Sequence, residues 1–95
     1  MRQLIGRFGV DSGQAMVGDP CYLESWGQDN EFNYDKACDV TIKNKFGVLS
    51  HGMSVVFETG YGDGAYPVYA ELNEDGRVAR ITIDFIGDLE LEDEN

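Results

Sequence analysis

The chain has 95 residues, enough for one small domain, and its 42% hydrophobic content supports a small core. Its 18 acidic and 7 basic residues give a net charge of −11, which disfavours direct binding to nucleic-acid phosphates. No apolar run approaches the roughly 20 residues that span a bilayer, and the first residues lack the pattern of a signal peptide. We therefore expect a cytoplasmic location, reduced cysteines and no membrane association.

In the first half of the chain, apolar and polar residues alternate in short stretches that predict strands. The strands expected there are Leu4–Val10, Gln14–Val17, Val40–Ile42 and Phe46–Leu49. Between the second and third of them, residues 22–37 form one long irregular stretch, with short helical turns expected near Tyr22 or Tyr34.

The second half contains clearer strand patterns. In one strand, Met53, Val55 and Phe57 are expected to face the core. Pro67–Leu72 and Val78–Phe85 are predicted to pair as a hairpin across an Asp-Gly turn. Because proline cannot donate a ladder hydrogen bond, the strand of Pro67 is expected to start there or to lie at a sheet edge.

Together these patterns predict an all-β fold, a small antiparallel sandwich or barrel of about seven short strands. We expect residues 1–87 to form a single β domain and residues 88–95 to form an acidic C-terminal tail. The tail holds Asp88, Glu90, Glu92, Asp93 and Glu94.

Two segments rich in glycine and aspartate lie about forty residues apart. The first runs from Asp11-Ser12-Gly13-Gln14 into Gly18-Asp19-Pro20-Cys21-Tyr22, and the second is Thr59-Gly60-Tyr61-Gly62-Asp63-Gly64-Ala65-Tyr66-Pro67-Val68-Tyr69-Ala70-Glu71. They resemble a small uncharacterised family of bacterial and phage proteins with the motifs DSGQ-x-x-x-GDPCY and TGxGDGxYPVYAE. The resemblance spans most of residues 8–85 and implies no settled activity.

The glycine-rich loop Gly60–Gly64 is the strongest candidate for chemistry, because its backbone can approach a ligand closely and its N–H groups can cradle an anion. It lacks the Lys-Ser/Thr pair of a phosphate-binding P-loop, and a tight structural turn explains it equally well. Asp19 is expected to tie two loops together. The alternative, that it joins Asp11 and Asp63 in a Ca²⁺ or Mg²⁺ site, has a weaker basis, because the spacing matches no known calcium loop. A Cys–His enzyme with Cys21 or Cys38 and His51 has little support, and too few Cys and His residues exist for a structural zinc site.

Aromatic residues cluster in or beside the two motifs, where they can anchor a partner or fill a small core. The candidate binding residues are Asp11, Gln14, Asp19, Tyr22, Trp26, Tyr61, Asp63, Tyr66 and Tyr69. No catalytic residue, metal ligand or cofactor is expected.

The leading hypothesis is a non-enzymatic binding protein, encoded by a phage or mobile element, that engages a basic host protein, with inhibition as one outcome. The alternative is a module that binds or sequesters a small anionic ligand such as a nucleotide, through the Gly60–Gly64 loop and the tyrosines. The sequence leaves the oligomeric state open, a homo-oligomer included.

Overall fold

The computed structural model describes residues 2–49, 52–87 and 89. Within these residues lie six strands, one α-helix and one 3-10 helix. They are β1 (Arg2–Val10), β2 (Gln14–Gly18), the 3-10 helix Pro20–Ser25, α1 (Tyr34–Asn44), β3 (Phe46–Leu49), β4 (Ser54–Glu58), β5 (Gly64–Leu72) and β6 (Val78–Ile83). The chain divides into two compact units, a central unit (Ser12–Gly62) and a terminal unit (Met1–Asp11 with Asp63–Asn95).

The terminal unit contains a three-stranded antiparallel sheet in the order β1-β5-β6. The predicted hairpin is confirmed, since β5 pairs with β6. Its turn is held by Asn73, whose side chain accepts hydrogen bonds from the backbone N–H groups of Asp75 and Arg77. Gly76 has a positive φ of 81°, a conformation that explains why glycine follows aspartate at this turn.

Pro67 lies within β5, the middle strand, so the prediction that its strand starts there or lies at an edge is wrong. Since Val68 pairs with Ile83, Pro67 lies opposite Asp84, one residue beyond the end of β6. The Asp84 N–H donates to the Pro67 carbonyl over 3.3 Å. The proline nitrogen therefore faces the point where the neighbouring strand ends, and only the last bond of the ladder is lost.

Both faces of β5 contribute to the core of the terminal unit. Ala70 and Tyr69 lie on opposite faces of this strand, and they are only 2% and 1% exposed. The guanidinium of Arg2 lies 5.7 Å from the centre of the Tyr69 ring. Tyr66 is also buried and packs edge-to-face on Phe85, with 5.0 Å between ring centroids. These aromatic contacts supply apolar area that the aliphatic residues of this unit do not.

The central unit contains a second three-stranded antiparallel sheet, in the order β2-β4-β3. Helix α1 packs against β3 and β4 of this sheet. The buried side chains between them and the preceding loop, with two partly buried neighbours, are Phe32, Ala37, Leu49, Val56, Trp26 and Val40. A Cβ added at Gly47 would collide with Val40, so glycine at this position lets the helix lie close to β3.

Helix α1 corrects the prediction of a strand at Val40–Ile42, which lies inside the 11-residue helix. The valine, threonine and isoleucine there favour strands intrinsically, but tertiary packing decides the outcome. Asn33 caps the N-terminus of the helix, where its side chain accepts from the Lys36 N–H, and Lys45 caps the C-terminus in the left-handed conformation. The expected helical turn near Tyr34 is thus the first turn of a full helix, and the one near Tyr22 is the 3-10 helix.

The prediction that Met53, Val55 and Phe57 face the core is also wrong. Val55 is 45% exposed, whereas Val56, on the other face of β4, is 1% exposed. Alternation identifies two faces but does not say which one is covered when both carry apolar residues. Here α1 covers the face that contains Val56.

The predicted fold class is confirmed, since the protein is predominantly antiparallel β with one short α-helix. Neither helix in the described part of the chain has the length and apolar character needed to cross a membrane. Both cysteines are free thiols, with Cys21 exposed and Cys38 half-buried. The proposed acidic tail lies outside the described residues except for Leu89.

Candidate functional site

Thr59 joins the two motif segments within the central unit. Its backbone N–H donates to the Gly13 carbonyl over 3.0 Å. Its hydroxyl lies 2.7 Å from the carbonyl oxygen of Gly62 and 3.2 Å from that of Gly13. Thr59 is 1% exposed, so the donor groups of these bonds are buried. The threonine and glycines of the motifs therefore have an architectural role, which is to fix two turns side by side.

A half-open pocket of about 130 Å³ lies in the central unit. Its lining comes from the start of β2, the loop before α1, the first turn of α1 and the middle of β4. The lining residues are Ser12, Gln14, Ala15, Met16, Trp26, Tyr34, Ala37 and Val56. Most of this surface is apolar, and Ser12 and the Gln14 amide add polar groups, the composition of a small binding pocket.

The amide of Gln14 is held in place by two side chains of α1. Its Nε2 donates to the Cys38 sulfur over 3.2 Å, and its Oε1 lies 3.0 Å from the Thr41 hydroxyl. Thr41 is buried, and its hydroxyl also lies 3.1 Å from the Ala37 carbonyl in the preceding turn of the helix. Because each amide end has a neighbour on α1, the glutamine side chain forms a fixed polar wall of the pocket.

The aromatic wall of the pocket is formed by Trp26 and Tyr34. Trp26 packs edge-to-face on the buried Phe32, with 5.1 Å between centroids and an interplanar angle of 89°. The loop between them is closed by backbone hydrogen bonds from Gly27 to Phe32 and from Phe32 to Asp29. Trp26 is consequently half-buried and oriented, and Tyr34 remains about half exposed at the rim.

Of the nine predicted binding residues, the pocket brings together Gln14 and Trp26. Asp19 is the N-cap of the 3-10 helix, where its Oδ1 accepts from the Cys21 N–H over 2.9 Å. Tyr66 and Tyr69 are buried in the terminal unit. The others lie on exposed parts of the two units and are Asp11, Tyr22, Tyr61 and Asp63.

Sequence reasoning missed the contribution of Tyr34, Met16 and Ala37 to this pocket. Tyr34 was recognisable in principle, because Asn33 two residues before Asp35 is an N-cap pattern that places Tyr34 on the first turn of a helix. Met16 and Ala37 carried no comparable pattern. Their roles depend on the packing of α1 beside the sheet, which no local motif encodes.

Among residues 2–49, 52–87 and 89, no three His, Cys, Asp or Glu side chains come together to hold a metal ion. The grouping of Asp11, Asp19 and Asp63 into a cation site is therefore not observed. His51, the proposed base of a Cys–His pair, lies outside the described residues.

Fold and pocket thus define a small antiparallel β protein with a helix-covered sheet and a half-open apolar pocket. A family model matches residues 5–83, and the chain belongs to that family, a protein family of unknown function (DUF4241). No curated protein and no solved structure matches the chain.

Proposed function

We propose that this protein is a non-enzymatic binding protein that engages a basic protein partner and receives one apolar side chain of that partner in the pocket of the central unit. The observation that carries this proposal is the size and lining of the pocket. A volume of about 130 Å³ is close to that of cavities that hold a single benzene-sized group. It suits a leucine, methionine or phenylalanine side chain.

Charge supports a basic partner. The whole chain has a net charge of −11, and residues 12–62 alone contain seven acidic and three basic side chains. A basic protein is attracted to such a surface from a distance, which raises its association rate at low ionic strength.

Exposed apolar residues support a macromolecular partner as well. Val17, Val55 and Val48 form one cross-strand row through all three strands of the central sheet. They are 56%, 45% and 59% exposed. A contiguous exposed row of this kind marks interaction surfaces more often than isolated apolar residues do.

The alternative, sequestration of a small anion or nucleotide, has weaker support. Pockets for drug-sized ligands measure about 300–1,000 Å³, well above the volume found here. In the glycine loop, the Gly62 carbonyl accepts from Thr59 and Tyr61 is 68% exposed, while Tyr66 is buried in the terminal unit. The loop and its tyrosines therefore offer a nucleotide less enclosure than the pocket offers a side chain.

The proposal also covers the origin of the protein, the place where it acts and its effect on the partner. The two motifs resemble those of bacterial and phage proteins, and a small acidic protein is suited to occupy a basic groove on a host enzyme. We therefore propose a phage or mobile-element origin, action in the host cytoplasm and inhibition of the bound protein.

The experiment that tests this function is affinity capture from bacterial lysate with three forms of the protein. Ser12 lines the pocket and is exposed, so Ser12→Phe should occlude the pocket, whereas Ser12→Ala leaves it open. We expect wild type and Ser12→Ala to retain one basic protein at low salt and release it at high salt. Ser12→Phe should capture much less of it. Equal capture by all three forms would contradict the role of the pocket.

A further inference from the structure

The hydrogen-bond pattern of the central sheet shows which backbone groups of β2 point away from it. Thr59 N–H bonds to Gly13 O, and in the register of β2 with β4 these two residues are directly opposite. In an antiparallel ladder, opposite residues alternate between bonded and non-bonded pairs. The pairs Ala15 with Phe57 and Val17 with Val55 are therefore bonded.

It follows that Gln14, Met16 and Gly18 direct their N–H and C=O groups outward from the free edge of β2. The bonding between β4 and β3 supports this assignment. The Glu58 N–H points away from β2 and donates to the Lys45 carbonyl on the β3 side. Among the residues that the structure describes, β2 pairs with β4 alone. The outward groups of Met16 and Gly18 form a ready template for another strand.

The segment 12–18 lacks two of the devices that often protect a sheet edge, proline and charged side chains. Its residues, Ser-Gly-Gln-Ala-Met-Val-Gly, include no proline and no charged side chain. Asp19 follows the segment directly and is exposed. The edge is thus a neutral strand with a carboxylate at its C-terminal end.

The pocket lies at this same edge. Gln14, Ala15 and Met16 all line it. Because β2 is an edge strand of its sheet, a pocket lined by three of its residues lies beside that edge. An open edge beside an apolar pocket is the arrangement by which domains bind extended peptides, with backbone bonds for affinity and the pocket for specificity.

We propose that β2 binds an extended segment of the basic partner as an additional strand, with one apolar side chain in the pocket and a basic residue beside Asp19. This inference rests on the proposed function and specifies its partner. Charge decides the occupant, because a second copy of this chain would bring −11 against −11, whereas a segment with lysine or arginine at both ends brings a cation to Asp19 in either strand direction.

The test uses fluorescein-labelled nonapeptides with lysine at both ends, alternating valine and threonine between them, and leucine, methionine, phenylalanine or glycine at the centre. We expect the apolar-centred peptides to bind and the glycine peptide to bind about tenfold more weakly. Methylation of the backbone nitrogens at odd or at even positions should weaken binding about tenfold for one set and leave the other unchanged, since alternate N–H groups face β2.

Amide hydrogen exchange gives a second readout on the protein itself. In the free protein the amides of Met16 and Gly18 should exchange faster than those of Ala15 and Val17. The apolar-centred peptides should slow Met16 and Gly18. Asp19→Asn, which keeps an N-cap side chain, should reduce both the affinity and its dependence on salt.

The outcomes separate the two proposals. If both methylated sets bind as the parent does, strand addition is wrong, while a preserved preference for the apolar centre upholds insertion into the pocket. If no peptide binds, or if the glycine peptide binds as well as the others, strand addition and pocket insertion both fail. Protection of Met16 that rises with protein concentration in the absence of peptide would assign the edge to a second copy and overturn the inference.

Discussion

The backbone N–H of Thr59 donates to the carbonyl oxygen of Gly13 over 3.0 Å, which links two residues that are 46 positions apart. This bond extends the β2–β4 ladder by one pair and identifies which of its residue pairs are hydrogen-bonded. It therefore stabilises both motif turns and determines which residues of β2 remain outward. One contact thus connects the glycine-rich motifs to the edge where we place the partner.

The Thr59 hydroxyl should contribute measurably to stability. Thr59→Val keeps the shape of the side chain but removes the donor to Gly62, so we expect a loss of about 1 kcal/mol or more in the free energy of unfolding. Thr59→Ser retains the donor and should lose less. Urea unfolding followed by circular dichroism measures both variants, and a valine variant as stable as wild type would show that the hydroxyl bonds are unimportant.

Gly62 should be intolerant of a side chain for conformational reasons alone. Its φ is 84°, and an added Cβ would meet no atom within 4 Å. Gly62→Ala should therefore cost about 1 kcal/mol through backbone strain. Gly9→Ala in β1, which also meets no atom and has no positive φ, is the matched control. Similar thermal midpoints for the two variants would contradict this explanation.

The strands and the hairpin were predictable because their signals are local. Alternation in β6 and the Asp75-Gly76 turn each define structure within a few residues. Helix α1 was not, because Val40, Thr41 and Ile42 favour strands and the helix is stabilised by packing of Ala37 and its neighbours on the sheet. Packing of the helix on the sheet therefore outweighed the preference of these residues for strands.

Asp84 should anchor the chain after β6. Its carboxylate is 5% exposed and accepts from the N–H groups of Ile86, Gly87 and Leu89. Asp84→Ala removes all three acceptor contacts and should cost about 3 kcal/mol, whereas Asp84→Asn keeps one oxygen and should cost less. Hydrogen exchange at Ile86 and Gly87 reports the local effect, and unchanged protection in the alanine variant would refute the anchor.

The same contacts bear on the acidic tail. Truncation after Leu89 keeps the bond from its N–H to Asp84, so we expect wild-type stability for that form, since four of the six residues removed are mutually repulsive carboxylates. Truncation after Gly87 loses one hydrogen bond and should lower the melting temperature slightly. A large fall in melting temperature on truncation after Leu89 would show that the tail packs on the domain.

Two tyrosines from the second motif should behave differently. Tyr66 is buried against Phe85, so Tyr66→Ala should cost about 3 kcal/mol of stability. Tyr61 is 68% exposed, so Tyr61→Ala should change stability by less than about 0.5 kcal/mol and should raise the dissociation rate of a bound partner. Thermal unfolding and binding kinetics separate the two, and a Tyr66→Ala protein of normal stability would contradict the burial.

The site was only partly predictable, for a related reason. Gln14 and Trp26 belong to or follow a recognisable motif, and both line the pocket. Met16 and Ala37 reach the same pocket through pairing of β2 and packing of α1, which are contacts between distant segments. The aspartates of the motifs indicated a binding or metal site. Asp19 instead caps a 3-10 helix, a role that its Asp-Pro sequence also fits.

The most direct test of the account is the fluorescence of Trp26, the single tryptophan of the chain. Because Trp26 lines the pocket, insertion of a partner side chain should shift its emission to shorter wavelength and protect it from acrylamide quenching. We predict this change on titration with the leucine-centred basic peptide, in wild type and in Ser12→Ala but not in Ser12→Phe. Binding of the peptide with unchanged Trp26 emission and quenching would contradict insertion into the pocket.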